Sequence, residues 1–141
     1  MALIAGQPEP FHHRAKKGIK GSGVITAGSV LVIDTALTPD GWKIAPTTAT
    51  TKPFGVLINA DAATGDTTIA VGIEGEFNVV AGGTIEPNTA VATDTGTAGR
   101  VVAIGAGTEA NRVGFYYGDK GGSSPEAAAV GEVIRIIKEA E

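Results

Sequence analysis

The residues that could do chemistry in this chain are few, and their spacing argues against most chemistries. His12 and His13 are the two histidines. Neighbours on an extended backbone point to opposite sides, so the pair is poorly placed to hold one metal ion. No HxH or HExxH spacing occurs, and without cysteine there is neither a thiolate zinc site nor a thiol nucleophile. Glu74 and Glu76 flank Gly75 and would share one face of a strand. Paired carboxylates can serve as acid and base when their environments separate their pKa values. Here no further group joins them, and two carboxylates on a sheet edge are a common guard against edge-to-edge pairing. Asp40, Asp66 and Asp94 lie beside glycine or threonine in predicted turns, where aspartate bonds its own backbone. There is no GxSxG elbow and no phosphate loop, and Gly18-Ile-Lys-Gly-Ser-Gly-Val24 does not follow a strand. The expectation is no catalytic residue, no metal and no cofactor. Trp42, Phe77, Phe115, Tyr116 and Tyr117 could form a sugar-stacking surface, which is the alternative function: a carbohydrate- or receptor-binding β-module on a virion or cell surface. In a chain with 5% aromatics, Trp42 and Phe77 are expected in the core. Tyr116 and Tyr117, being adjacent, should divide between core and surface.

One charged segment stands apart. Residues 1–20 hold Arg14, Lys16, Lys17 and Lys20 against Glu9, a net of +3. With a total of −4, the remaining 121 residues carry −7. An acidic body with a basic leader does not read as a nucleic-acid-binding domain. No apolar run approaches the length of a membrane span. Met1-Ala-Leu-Ile-Ala5 is too short for a signal-peptide core, and its basic residues follow it. Residues 1–23 show neither helical nor strand periodicity. They are expected to form a flexible N-terminal arm, either frayed or ordered on a partner.

The rest of the chain must be the scaffold that positions this arm. Glycine supplies 21 of the 141 residues, about double the usual share, and 43% of the chain is hydrophobic. That composition calls for short strands joined by tight turns. Strands are expected at Ser29–Asp34, Trp42–Ala45, Phe54–Ile58 and Thr67–Ile73, with Phe77–Val80 continuing after a break or bulge at Glu74–Glu76. The pattern then recurs. Pro87-Asn-Thr-Ala-Val-Ala-Thr-Asp-Thr95 echoes Ala27-Gly-Ser-Val-Leu-Val-Ile-Asp-Thr35 at an offset of 60. Gly99–Val102 echoes Gly41–Ile44 at 58, Arg112–Tyr116 echoes Pro53–Leu57 at 59, and Glu132–Ile136 echoes Thr67–Val71 at 65. Four echoes in one order indicate a duplication, with the longer glycine loop 118–124 absorbing the last change of offset. Half of this length leaves open edges and an uncovered apolar face, so the halves should join. The expectation is a single all-β domain over 24–141, a small β-barrel or sandwich of two similar halves (about 24–80 and 84–138). Ser124-Pro-Glu126 begins like a helix, so a short helix is expected near 124–130 before a last strand at 132–138.

The stretch SVLVIDT, a turn, GWKIAP and FGVLINADAATGDTTIAVGIEGEFNV (Ser29–Val79) resembles the head decoration protein family of phage lambda. Gly55-Val-Leu57, Asn59–Ala63, Thr67-Thr68 and Gly75-Glu-Phe77 carry the likeness. EPNTAVATDT, GRVVAI, VGFYYG and GEVIRIIK in the second half are similar to short phage head proteins of the cement type. The resemblance spans about residues 24–138. It implies a capsid decoration (cement) protein that binds the outer face of the major capsid protein lattice as a homotrimer. It would stabilise the shell against the pressure of packaged DNA. It also implies a location on the outside of the virion after assembly in the host cytoplasm, without contact to nucleic acid or membrane. The arm residues expected to grip the capsid are Phe11, His12, His13, Arg14, Lys16, Lys17, Ile19 and Lys20.

Overall fold

A computed structural model of the chain describes residues 3–6, 8–20, 23–37, 41–48, 54–58, 61–63, 68–105 and 111–139, with backbone alone for 8–13. Among these residues the regular structure is nine strands: β1 (Pro8–Lys20), β2 (Val30–Ile33), β3 (Gly41–Ile44), β4 (Phe54–Leu57), β5 (Thr68–Val80), β6 (Thr89–Thr93), β7 (Val101–Ala103), β8 (Arg112–Tyr116) and β9 (Val133–Lys138). The all-β, two-half architecture is therefore what the sequence pattern leads one to expect.

The sheet order is β1-β3-β2-β4-β5-β9-β8-β6-β7, and β1 also pairs with β5. The first five strands thus close into a barrel, with β1 parallel to β3 and antiparallel to β5. The second half closes in the same way. β5 runs on into β9, β8, β6 and β7, and a parallel bridge from Ala81 to Val101 returns to the end of β5. Strand β5 serves both barrels: residues before Gly75 pair with β4 and most of β1, and residues from Gly75 onward pair with β9. Gly75 itself has φ 118, a left-handed value that a residue with a side chain rarely adopts.

The duplication extends further than the four sequence echoes. Leu31 pairs with Gly55 as Val91 pairs with Gly114. Leu57 pairs with Val71 as Tyr116 pairs with Ile136. The isolated bridge Ile25–Ala62 is repeated as Ile85–Ala128, each closed by two reciprocal backbone hydrogen bonds. Asp94 accepts a hydrogen bond from the backbone N–H two residues on and so stabilises a turn, as expected, and Asp34, for which no such role was expected, does the same at the matching place in the first half. The turn at Thr38–Asp40 and Asp66 lie outside the described residues.

Three expectations are corrected. The leader is extended but it is not a flexible arm: β1 pairs along β5 from Pro8 to Ile19 and with β3 at Ile19 and Lys20. Its equivalent in the second barrel is the end of β5. Lys16, Gly18 and Lys20 occupy the places of Phe77, Val79 and Ala81, opposite Val71, Ile69 and Trp42 where the latter face Ile136, Ile134 and Val101. The second correction concerns the helix expected at 124–130. That segment is irregular, with Ala128 extended and bridged to Ile85, so its backbone groups are drawn into a long-range bridge instead of a helical turn. Third, Glu74 and Glu76 do not sit on a sheet edge, because β5 lies inside the sheet, with Arg14 opposite Glu74 and Ile137 opposite Glu76.

Two apolar clusters hold the fold. One comes entirely from the first half: Ile25, Leu31, Trp42, Leu57, Ala62, Ile69 and Val71. The larger is shared and packs Val30, Val32, Phe54 and Val56 with Phe77, Val79, Val91, Val113, Ile134 and Ile136. Strand β4 is buried at every position because its two faces meet different clusters. Gly18 and Gly55 make room inside the first barrel, where a Cβ on either would press on Val71 and Trp42.

Candidate docking surface

The residues expected to bind a partner fall into three groups in the structure. Arg14, Lys16, Lys17 and Ile19 are exposed on β1. With Ala15 they form a basic strip beside a hollow of about 510 Å³ that reaches Ile58, Thr68, Ile69 and Ala70. Lys20 does not belong to this strip. It is 3% exposed, and its ammonium donates to the carbonyl of Gly23 at 2.6 Å. Phe11, His12 and His13 lie in β1 by their backbone, with His13 opposite Gly75, and their side chains lie outside the described residues.

What fixes the strip is the pairing of β1 and a second anchor at its start. The buried Asn78 donates its side-chain N–H to the carbonyl of Ile4 at 2.7 Å, and its backbone carbonyl accepts from the N–H of Gly6 at 2.7 Å. Arg135 donates to the Asn78 side-chain oxygen at 3.3 Å. Gly6 and Gly28 meet back to back, each too close to the other for a Cβ. Residues 4–6 are therefore seated on β5 before the chain enters β1. Gly6 and Gly28 both sit in turns with positive φ, a conformation open to glycine, and nothing in the sequence pattern marked them as a pair.

The aromatic residues divide as the alternation requires. Trp42, Phe77 and Tyr116 are buried, so the sugar-stacking surface that would include Trp42 and Tyr116 does not form. Tyr117 is exposed and its ring lies 4.6 Å from that of Phe115 at an interplanar angle of 58°. Tyr116 donates its hydroxyl to the carbonyl of Glu126 at 2.6 Å. Burial, together with the nearby carboxylates of Glu132, Asp119 and Glu126, pushes its phenol up to about 12. Glu132 accepts from the backbone N–H of Ala129 and from Lys120, and these bonds hold its carboxyl below the usual range. Among the described residues no three His, Cys, Asp or Glu side chains converge as metal ligands, and no helix is long and apolar enough to cross a membrane.

No protein-family model matches the chain, and no curated protein matches it. Solved structures do, among them two from bacteriophages. One is the N-terminal base of the head fibre protein gp8.5 of bacteriophage phi29, at 16% identity and a TM-score of 0.62, covering 90% of this chain and 94% of that one. The other is a chain of the capsid of the Myoviridae phage XM1, at 15% identity and a TM-score of 0.68, covering 98% of this chain and 91% of that one. The two-barrel fold is thus one that this chain shares with a phage head fibre base and a phage capsid chain.

Proposed function

We propose that this chain is a non-enzymatic structural protein of a phage head, one that decorates the outer face of the major capsid protein lattice as a homo-oligomer, three copies at a time, and braces the shell against the pressure of packaged DNA. The observation that carries this reading is the coverage of the likeness. A phage head fibre base and a phage capsid chain match this chain over 90% and 98% of its length, so the likeness covers nearly the whole fold.

The grip comes from the exposed strip of β1 instead of a loose arm. A leader already paired on β5 cannot lend that strand edge to another sheet without peeling away. Arg14, Lys16 and Lys17 remain outside and meet acidic capsid surface, while Ile19 adds apolar contact. Exposed ion pairs are each worth little, on the order of 0–1 kcal/mol, so attachment depends on several copies binding together at high effective concentration. A single capsid subunit is bound weakly and a finished shell tightly, with attachment falling as salt rises.

The test uses purified expanded heads stripped of surface proteins. The wild-type chain should co-sediment with them. The triple variant Arg14→Glu, Lys16→Glu, Lys17→Glu should keep its melting temperature and oligomeric mass and lose attachment. A wild-type chain that ignores expanded heads refutes the decoration role, and a triple variant that attaches normally refutes the strip.

A further inference from the structure

Because the chain is a duplication, each barrel shows what the other needs in order to fold. From Leu57 at the end of β4 to the bridge residue Ala62 the first barrel spends five positions, and from Tyr116 to the matching Ala128 the second spends twelve. The seven extra residues are surplus to a bridge that both halves close identically. The change begins at the first residue after the strand. Ile58 in the first barrel is buried at 4% exposure, whereas its counterpart Tyr117 is 53% exposed.

The insertion is held firmly. Asp119 is tied to β9 by its carbonyl, which accepts from the N–H of Arg135 at 3.0 Å, and by a carboxylate oxygen 3.5 Å from the Arg135 guanidinium. Its other carboxylate oxygen accepts from the N–H of Gly121 at 2.8 Å. Gly118 has φ +113, and a Cβ there would press on Pro125. Tyr117 is braced by Phe115. Between these groups lies an open hollow of about 270 Å³, lined by Tyr117, Asp119, Ser123, Ser124 and Pro125 around two glycines. A second hollow shares Gly122 and carries Lys120, Glu126 and Glu132.

We propose that the insertion forms a shallow site for a neutral saccharide. The exposed ring of Tyr117 offers an apolar platform of the size of one sugar face. Asp119 keeps free acceptor capacity on both oxygens, since each carboxylate oxygen can accept more than one hydrogen bond. The exposed hydroxyls of Ser123 and Ser124 can both donate and accept, which suits the vicinal hydroxyls of a pyranose. The hollow lies just below the size range of drug-like pockets, which fits a single sugar ring at the end of a longer chain. A bound acid would face the carboxylate of Asp119, so a neutral ring is favoured over a uronic or sialic acid. This site stands whether or not the chain decorates a capsid.

Saturation-transfer difference NMR on the full chain with the methyl glycosides of glucose, galactose, mannose and N-acetylglucosamine tests it. At least one glycoside should show transfer concentrated on the ring protons of one face. Tyr117→Ala should weaken apparent affinity by at least about tenfold, the equivalent of one ordinary contact pair or more, and Asp119→Asn should weaken it less. Should Tyr117→Ala fail to fold, Ser123→Trp, which fills the hollow from its exposed rim, must abolish transfer in a chain of normal melting temperature. No transfer to any of the four glycosides, or transfer unchanged in a folded Tyr117→Ala or Ser123→Trp variant, overturns the proposal. A Tyr117→Ala variant that instead loses self-association while keeping transfer also overturns it.

Discussion

Asn78 has no counterpart of its own kind in the first barrel, where the matching position on β1 is Lys17 and exposed. The difference follows from what each strand must carry. Asn78 is buried and ties the incoming leader to β5 through Ile4 while steadying Arg135, whereas Lys17 faces outward. Asn78→Ala strands the Ile4 carbonyl and removes one partner of a guanidinium, a loss of about 1–3 kcal/mol. Hydrogen exchange should show the amides of residues 4–6 and the first half of β1 opening sooner, with β6–β8 unchanged. Uniform loss of protection across the chain would instead mean that Asn78 acts on global stability alone. Tyr116 gives a second prediction at this scale. Its phenol stays protonated in the fold up to about 12, while in the unfolded chain it titrates near its ordinary value of 10. The folded state therefore holds a proton that the unfolded state has released between pH 10 and 12. This stabilisation is complete below pH 10 and is lost as pH rises through 12, on the order of 2–3 kcal/mol. Tyr116→Phe should be less stable near neutral pH by about 1 kcal/mol, having lost the bond to Glu126. It should also show a flatter fall in urea midpoint between pH 10 and 12 than the wild type.

At the scale of elements, the strands that carry alternating or continuous apolar residues were legible and β1 was not. In the second barrel the inward positions are Phe77, Val79 and Ala81, which announce a strand by hydrophobicity. In the first barrel the register-matched residues are the exposed Lys16 and the buried Gly18 and Lys20, which read as a polar, glycine-rich leader. Gly18 is there because the Trp42 ring fills the space a side chain would need. Lys20 is buried by turning its ammonium onto the Gly23 carbonyl. The basic residues of the candidate site were legible by charge, but which of them faced outward was not, because the face of a strand is unknowable until its partner is. The misread segment at 124–130 has a similar cause: a local helix start is overridden by a tertiary bridge that the repeat already required at Ala62. Removing residues 1–20 tests the strand reading against the arm reading. A loose arm can be cut away without cost. A barrel strand cannot, since its loss bares the β5 ladder and the cluster around Ile69, Val71 and Trp42. The truncated chain should lose more than about 4 kcal/mol, comparable to the whole stability of many domains, and show a broad or absent thermal transition. A truncation that melts like the full chain restores the arm.

At the scale of the molecule, two barrels that share a strand and a core should not behave as two folding units. The larger cluster draws on both halves, and the backbone of Gly99 is bonded to Val30 and Ala45 across the boundary. Cutting after residue 82 would leave the first barrel with Val30, Val32, Phe54 and Val56 facing water and β5 without its β9 neighbour. Each fully buried side chain of this kind is worth about 1.5–3 kcal/mol on exposure, so the four together outweigh the stability that a half of this size can hold. Two-state unfolding of the intact chain is therefore expected, with a calorimetric enthalpy near 100 kcal/mol that equals the van 't Hoff value. Residues 1–82 alone should give no cooperative transition. Two resolved transitions, or a folded first half, would mean that the boundary packing is incidental. The same unity bears on the proposed role. A brace on a shell must carry load from its docking strip to its far side. Here β1 is laced to β5, β5 to β9, and the shared core fills the space between, so no weak hinge separates the two barrels. Weakening that core, for example with Phe77→Ala, should shift the single transition by about 3–5 kcal/mol without splitting it. Attachment to expanded heads by the fraction that remains folded should be unchanged.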